Sequence, residues 1–305
     1  MNPTVNIYMM THGPTCAMIP ECCIPMEIGA ACRNNFKYMI RDNQGSDNIS
    51  EKDKTYCELT GLYWIWKNDK TPISGLCHYR RIFKINKSGI IKNLKKYDII
   101  VSKHCNVHPT LEEQYISAHI KSDWDTMINI LSELYPEYIP TAKSVFNGKK
   151  GFFCNMFISE RETLEKYCEW LFPLLFEIEK RIDLNGRDFY QGRVFGFLSE
   201  RLFTLYVIHN KLKIKEVPVI MIHEYPKISQ KSTQNKTDSE MKQRYVISTS
   251  RSMRYKEWRH DISEKNIYNL ERIDDSIWSA KVAVRLYNIS KPLFYIASNI
   301  HLRYL

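Results

Sequence analysis

Glycine and proline are scarce in this 305-residue sequence, 11 and 12 respectively, while 44% of residues are hydrophobic and 26% charged. Collagen-like, low-complexity and wholly disordered chains are thereby excluded. No run reaches ~18 uncharged apolar residues, so no transmembrane helix is expected. The opening Met1-Asn2-Pro3-Thr4-Val5-Asn6 has no basic region followed by an apolar run, and no secretory signal is read there. Zinc is not expected: nine cysteines are present, but no two are spaced Cys-x-x-Cys. Cys57, Cys77, Cys154 and Cys168 lie in apolar runs, where a free thiol behaves as a small hydrophobe. A cytoplasmic location with reduced thiols is the resulting expectation. Gly-x-Gly-x-x-Gly and P-loop motifs are missing. Gly196-Phe197-Leu198-Ser199-Glu200 lacks the Gly-x-Ser-x-Gly of a nucleophile elbow, which argues against a serine hydrolase.

A chain of this length makes one large domain or two small ones. It buries about three quarters of its unfolded surface, enough to fold without disulfides or a structural metal. Aromatics are plentiful at 12%, with 19 Tyr, 13 Phe and 6 Trp. They suit a filled core, a sugar-stacking surface, or both. The net charge of +10 is unevenly spread, with 15 Lys/Arg against 8 Asp/Glu in residues 226–305. The body is close to neutral, which argues against a nucleic-acid reader. From Ser276 to Leu305 four basic residues (Lys281, Arg285, Lys291, Arg303) alternate with apolar ones and no acid occurs. That pattern fits an anionic membrane surface; the alternative is a helix packed on the body.

Strands are expected at 5–10, 74–79, 97–101, 152–158 and 217–222. Helices are expected at about 53–68, 111–134, 160–181 and 189–209, with a polar loop at 41–50. Residues 1–225 form one domain in this reading, 226–250 a polar linker, and 251–305 a basic helical extension. Alternation of strands and helices argues for an α/β architecture with a mainly parallel sheet. In such sheets ligands bind beyond the carboxyl ends of strands. That rule selects Thr11-His12, His78 to Arg81, and the loop before the 189 helix.

His78-Tyr79-Arg80-Arg81 follows an apolar strand. Two adjacent guanidiniums there are costly to bury unless an anion pairs with them. A diphosphate suits their planar forks. The plainer reading is two surface arginines, one of them salt-bridged. Asp123-Trp124-Asp125 is the sole Asp-x-Asp and lies within an expected helix, so no motif supports a divalent metal such as Mn²⁺. Arg187-Asp188 precedes a helix. Asp188 is either a cap for free helix N–H groups or a carboxylate serving as general base. Glu200 with Arg201 reads as an ion pair before a catalytic pair. His12 and His78 are either ligand contacts or satisfied structural residues.

Cys57-Glu58-Leu59-Thr60-Gly61-Leu62-Tyr63-Trp64-Ile65-Trp66-Lys67-Asn68, followed by Gly75-Leu76-Cys77-His78-Tyr79-Arg80-Arg81, resembles the signature of a bacterial family long labelled a domain of unknown function. Its members are glycosyltransferases of capsular polysaccharide, exopolysaccharide and lipopolysaccharide clusters. Cys154 to Ile158 and Tyr190 to Leu202 match as well, and the resemblance spans roughly residues 5–225. It implies a GT-A-like, Rossmann-like fold using a nucleotide-sugar donor, with UDP-galactose or its furanose form as the guess. His78-Tyr79-Arg80 stands where that fold usually places Asp-x-Asp, which implies that Arg80 or Arg81 supplies the charge a metal otherwise would. By the same analogy Asn155, Arg187 and Gln191 meet the donor. Thr11 and His12 lie near the base, Asp47 and Asn48 near base or ribose, and Asp188 is the base with Glu200 as runner-up. A lipid-linked glycan acceptor and peripheral attachment to the inner membrane face complete the expectation. The competing reading is a non-catalytic polysaccharide-assembly scaffold.

Overall fold

The computed structural model describes residues 2–13 and 19–221 in full, and the backbone alone of 222–224, 245–249 and 256–258. Two units are distinguished, Met1–Val219 and Ile220–Leu305. The first carries β1 (Val5–Thr11), β2 (Cys23–Glu27), β3 (Ile40–Arg41), α1 (Asp53–Tyr56), α2 (Leu59–Asn68), β4 (Ile73–His78) and β5 (Arg81–Phe83). It continues through α3 (Lys87–Leu94), β6 (Ile99–Ser102), β7 (Cys105–Asn106), α4 (Leu111–Ala118), α5 (Lys121–Leu134), α6 (Ile139–Phe146), β8 (Lys150–Gly151) and β9 (Phe157–Glu160). Helices α7 (Arg161–Arg181) and α8 (Val194–His209) and strand β10 (Ile214–Val217) complete it. In the second unit β11 (Val219–Glu224) pairs antiparallel with β12 (Tyr245–Thr249), which pairs antiparallel with β13 (Lys256–Trp258).

The sheet of the first unit runs β3-β2-β1-β4-β9-β6-β10. Neighbours along that order are parallel except at β9, which opposes both β4 and β6; β5 adds to β4 as a short antiparallel pair at His78 and Arg81. This is the mixed α/β, mainly parallel, GT-A-like architecture that was expected. Strands β1 and β4 are buried along almost their whole length, as suits central strands covered by helices on both faces. Gly75 in β4 is required by close approach: a Cβ there would run into the Phe157 carbonyl and lie 2.7 Å from Ile158 Cα. Tyr56, Tyr115, Trp124, Phe157, Phe172, Phe195 and Phe203 are among the largest fully buried side chains, so much of the aromatic excess fills the core. Helix α4 starts on Thr110, whose Oγ1 accepts the Glu113 N–H at 3.1 Å.

Several boundaries differ from the sequence reading. The helix expected at 53–68 is broken by Cys57, at φ 53°, and the one at 111–134 by His119 and Ile120. Residues 152–156 are not strand; apolar composition suggested one, but Cys154 (φ 73°) and Asn155 (φ 49°) turn the backbone out of the ladder. Strands β2 and β3 were unread because they are short. β12 and β13 stand in the stretches read as linker and helical extension. The remainder of those stretches, with the basic segment 276–305, lies outside the described residues. Among the described residues no helix is long and apolar enough to cross a membrane.

Candidate active site

Parallel register places Thr11, Glu27, Arg41, His78 and Ser102 at one edge of the sheet. Because β9 runs the other way, the turn that precedes it, Cys154–Met156, lies at that same edge. Such an edge is where open α/β sheets bind ligands.

Beyond β1, Thr11 is buried and its hydroxyl donates to the Gly13 carbonyl at 2.6 Å. The exposed His12 ring places Nε2 3.1 Å from both Asp53 carboxylate oxygens. Buried Asp42 organises the neighbouring loop by accepting the N–H groups of Gly29 (2.8 Å) and Ala30 (3.0 Å) and the Ser50 hydroxyl (2.5 Å). Gly29 sits at φ 63°, a left-handed conformation that favours glycine, and a Cβ there would collide with the Asp53 side chain. Asp47 and Asn48 are not gathered here. Asp47 accepts from Tyr63 Oη at 2.7 Å and lies 3.6 Å from Lys67 Nζ, on the far half of α2. Asn48 bonds within its own loop, to the Gly45 carbonyl.

Beyond β4 lies a denser cluster. The Tyr79 N–H donates to the Met10 carbonyl and ties the end of β4 to β1. Arg80 is exposed and packs over the Tyr79 ring at 4.9 Å. His78 Nε2 donates to the Cys154 carbonyl at 2.9 Å, which sets its tautomer. Burial lowers the His78 pKa and Glu58 opposes that shift, while the charges of Arg81 and Arg193 reinforce it. The imidazole is therefore a neutral donor rather than a cation.

Asn155 is fully engaged beneath this surface. Its Nδ2 donates to Glu58 Oε1 (2.8 Å) and the Gly196 carbonyl (3.1 Å), and its Oδ1 accepts from the Ser199 hydroxyl (3.0 Å). Glu200 Oε1 accepts the Cys154 N–H at 2.6 Å, and Oε2 pairs with Arg201 at 2.7 Å, the ion pair the sequence suggested. Burial pushes the Glu200 carboxyl up to about 7, against the opposing pull of Arg201 and the Cys154 N–H. Arg193 Nε donates to Cys57 Sγ at 3.1 Å. Burial holds the Cys57 and Cys154 thiols at about 12, so neither is a nucleophile near neutrality. Cys57, Cys154 and Asn155 all have positive φ in this one cluster. Each such non-glycine residue costs about 1–3 kcal/mol, and such strain concentrates at functional sites.

The loop before α8 divides its residues. Arg187 forms a bidentate ion pair with buried Asp123 of α5, at 2.6 and 2.8 Å. Asp188 is exposed and its Oδ1 accepts the Gln191 N–H at 2.6 Å while its carbonyl accepts the Gly192 N–H, which closes the turn leading into residues 191–193. Gln191 donates its side-chain amide to the Ala118 carbonyl at 3.0 Å. The structure thus brings Thr11, His12, His78 to Arg81, Asn155 and Glu200 to one edge, and commits the Arg187 guanidinium to α5. Arg201 belongs to the cluster as the ion-pair partner of Glu200; Glu58 and Arg193 belong to it but were not singled out, and a charge set beside an apolar run was the available signal. Among the described residues no group of three or more His, Cys, Asp or Glu side chains is placed to hold a metal ion.

The family model "Domain of unknown function (DUF4422)" matches residues 6–211, more than half of the chain, and the chain belongs to that family. The chain is also similar to the apo structure of WbbM, a bifunctional glycosyltransferase, with a TM-score of 0.65 and 29% identity. The match covers 70% of this chain and 44% of that one. The chain therefore spans less than half the length of that solved structure. A comparison with curated proteins finds no match.

Proposed function

We propose that this member of the DUF4422 family is a glycosyltransferase. It moves a sugar from a nucleotide-sugar donor, UDP-linked galactose or galactofuranose being our choice, to a lipid-linked acceptor in capsule, exopolysaccharide or O-antigen synthesis. The observation that carries the reading is the cationic strand end His78–Arg81, set beside Glu200 in a fold shared at 29% identity with a glycosyltransferase.

Glycosyl transfer breaks the bond from the anomeric carbon to the diphosphate and leaves an electron pair on a phosphate oxygen. Guanidiniums fixed at the strand end stabilise that charge as it develops. Arg80 and Arg81 fill this role, with neutral His78 as a hydrogen-bond donor beside them. If the reaction inverts, the acceptor oxygen attacks from the opposite face and its proton passes to a carboxylate. Of the two carboxylates considered, Asp188 closes an exposed turn, whereas partly buried Glu200 has a proton affinity matched to neutral pH, so Glu200 is assigned as the base. Thr11 and His12 face the nucleotide. Residues 276–305 are assigned, on composition alone, to an anionic membrane surface.

The test is thermal denaturation with UDP, GDP, CMP or dTDP, each with Mn²⁺ or with EDTA. A nucleotide at 100 times its Kd stabilises by ~2.7 kcal/mol, or about 5–11 °C for a domain of this size. Stabilisation by one nucleotide, lost in Arg80→Ala and Arg81→Ala, is expected. Absence of any nucleotide effect refutes the reading. An effect seen only with Mn²⁺ refutes the metal-independent form of it.

A further inference from the structure

One feature of the cluster is unused by that chemistry. Phe189 is 83% exposed and Tyr190 39% exposed, yet the loop that bears them is not loose. Arg187 anchors it to Asp123, Asp188 caps the Gln191 N–H, and Gln191 reaches the Ala118 carbonyl. A pinned loop that keeps a large aromatic face such as that of Phe189 in water forgoes the stabilisation its burial would bring. Tyr190 is the outer member of a cluster of three rings. His119 lies near parallel to it with centroids 5.4 Å apart, and Phe197 packs against both, 4.2 Å from His119 and 5.0 Å from Tyr190.

Polar groups accompany the rings. Tyr115 Oη, His119 Nδ1 and Arg201 Nε are buried and have no hydrogen-bond partner in the protein. Their side chains touch: the Tyr115 and His119 rings are 4.7 Å apart, and the Arg201 guanidinium lies 5.3 Å from the Tyr115 ring. Three unpartnered polar atoms on adjoining residues call for a water or a ligand hydroxyl. Tyr115 and Arg201 are each at least nine-tenths buried. Arg201 also joins this group to the base, since its other face pairs with Glu200. Aromatic faces beside a few fixed polar groups are what a sugar ring requires: one apolar face and a rim of hydroxyls.

We propose that Phe189, Tyr190, His119 and Phe197 form the shelf on which the acceptor's terminal sugar ring stacks, its hydroxyls directed toward Glu200. The assignment to acceptor rather than donor rests on the transferase reading above, in which the donor diphosphate occupies the His78–Arg81 edge. The shelf meets that edge through Arg201, which pairs with Glu200, and through Arg193, whose guanidinium lies 5.4 Å from the Phe197 ring.

The test is saturation-transfer NMR with methyl glycosides of glucose, galactose and mannose, using the full chain. Wild type is expected to saturate the ring protons of at least one glycoside. Phe189→Ser should reduce that signal at least fivefold without changing the melting temperature; Tyr190→Ala should reduce it as far with a lower melting temperature, and Tyr190→Phe should keep it within twofold. A second arm adds the nucleotide sugar of whichever nucleotide stabilises the protein. Retained glycoside signal supports an acceptor shelf; loss by competition marks a donor subsite and overturns it. Nucleotide stabilisation with no glycoside signal overturns the shelf and leaves the transferase reading standing. A glycoside signal without nucleotide binding overturns the transferase reading and the acceptor assignment with it. Equal signal from Tyr190→Ala and wild type also overturns the shelf.

Discussion

Arg187 provides a direct test of the difference between a substrate contact and a structural anchor. Its guanidinium meets Asp123 through two parallel bonds, and the two side chains retain 8% and 3% of their exposure. Arg187→Ala leaves the Asp123 carboxylate buried without a partner. Breaking a buried pair by removing one member costs about 3–5 kcal/mol, because the orphaned charge loses its solvation and gains nothing. At about 2–4 °C per kcal/mol for a domain of this size, the melting temperature should fall by about 6–20 °C. Removing both charges, with Asp123→Asn and Arg187→Met together, should recover most of that loss, since no uncompensated ion then remains. The assay is thermal unfolding of the two single variants and the double variant, with nucleotide binding measured on each below its transition. A fall of less than 2 °C in Arg187→Ala, with nucleotide affinity reduced more than tenfold, would refute the anchoring argument. It would return Arg187 to the donor site.

Glu200 must be ionised to accept a proton, and burial sets its carboxyl at about 7. The apparent kcat/KM for transfer should therefore rise with pH along a limb centred near 7 and flatten above it. In Glu200→Gln turnover should fall at least 100-fold, whereas Asp188→Asn should lose less than tenfold; the reverse order would exchange their roles. Gly75→Ala sets a methyl group against the backbone of β9 rather than against a flexible side chain. Overpacking of this kind typically costs about 1–3 kcal/mol, visible as a lower denaturant midpoint. An unchanged midpoint would mean that β4 and β9 can separate without loss.

Much of the fold was legible because its signals are local. The apolar runs at β1 and β4 and the 3.6-residue stripe of Leu164, Cys168, Leu171 and Leu175 along α7 each bury a face whatever the rest of the chain does. The same locality marked His78–Arg81 as a charged end on a buried strand. Local signals failed where neighbours in space set the backbone. Cys154 and Asn155 lie in an apolar run that reads as strand, but Glu200 and Glu58, from distant parts of the chain, hold the two in left-handed conformations.

The sequence by itself thus determined the layer architecture, the order of its longer strands and helices and the strand ends that hold the candidate chemistry. Periodicity and apolar runs are written within a few consecutive residues. Tertiary structure alone decided which charges remain available at that edge. Arg187 went to Asp123, 64 positions away, and Asn155 to Glu58, 97 positions away. Glu200 acquired its raised proton affinity only when packing removed water from around it. Burial and pairing across such separations depend on where the sheet brings the chain together, and no local pattern of residues encodes that meeting.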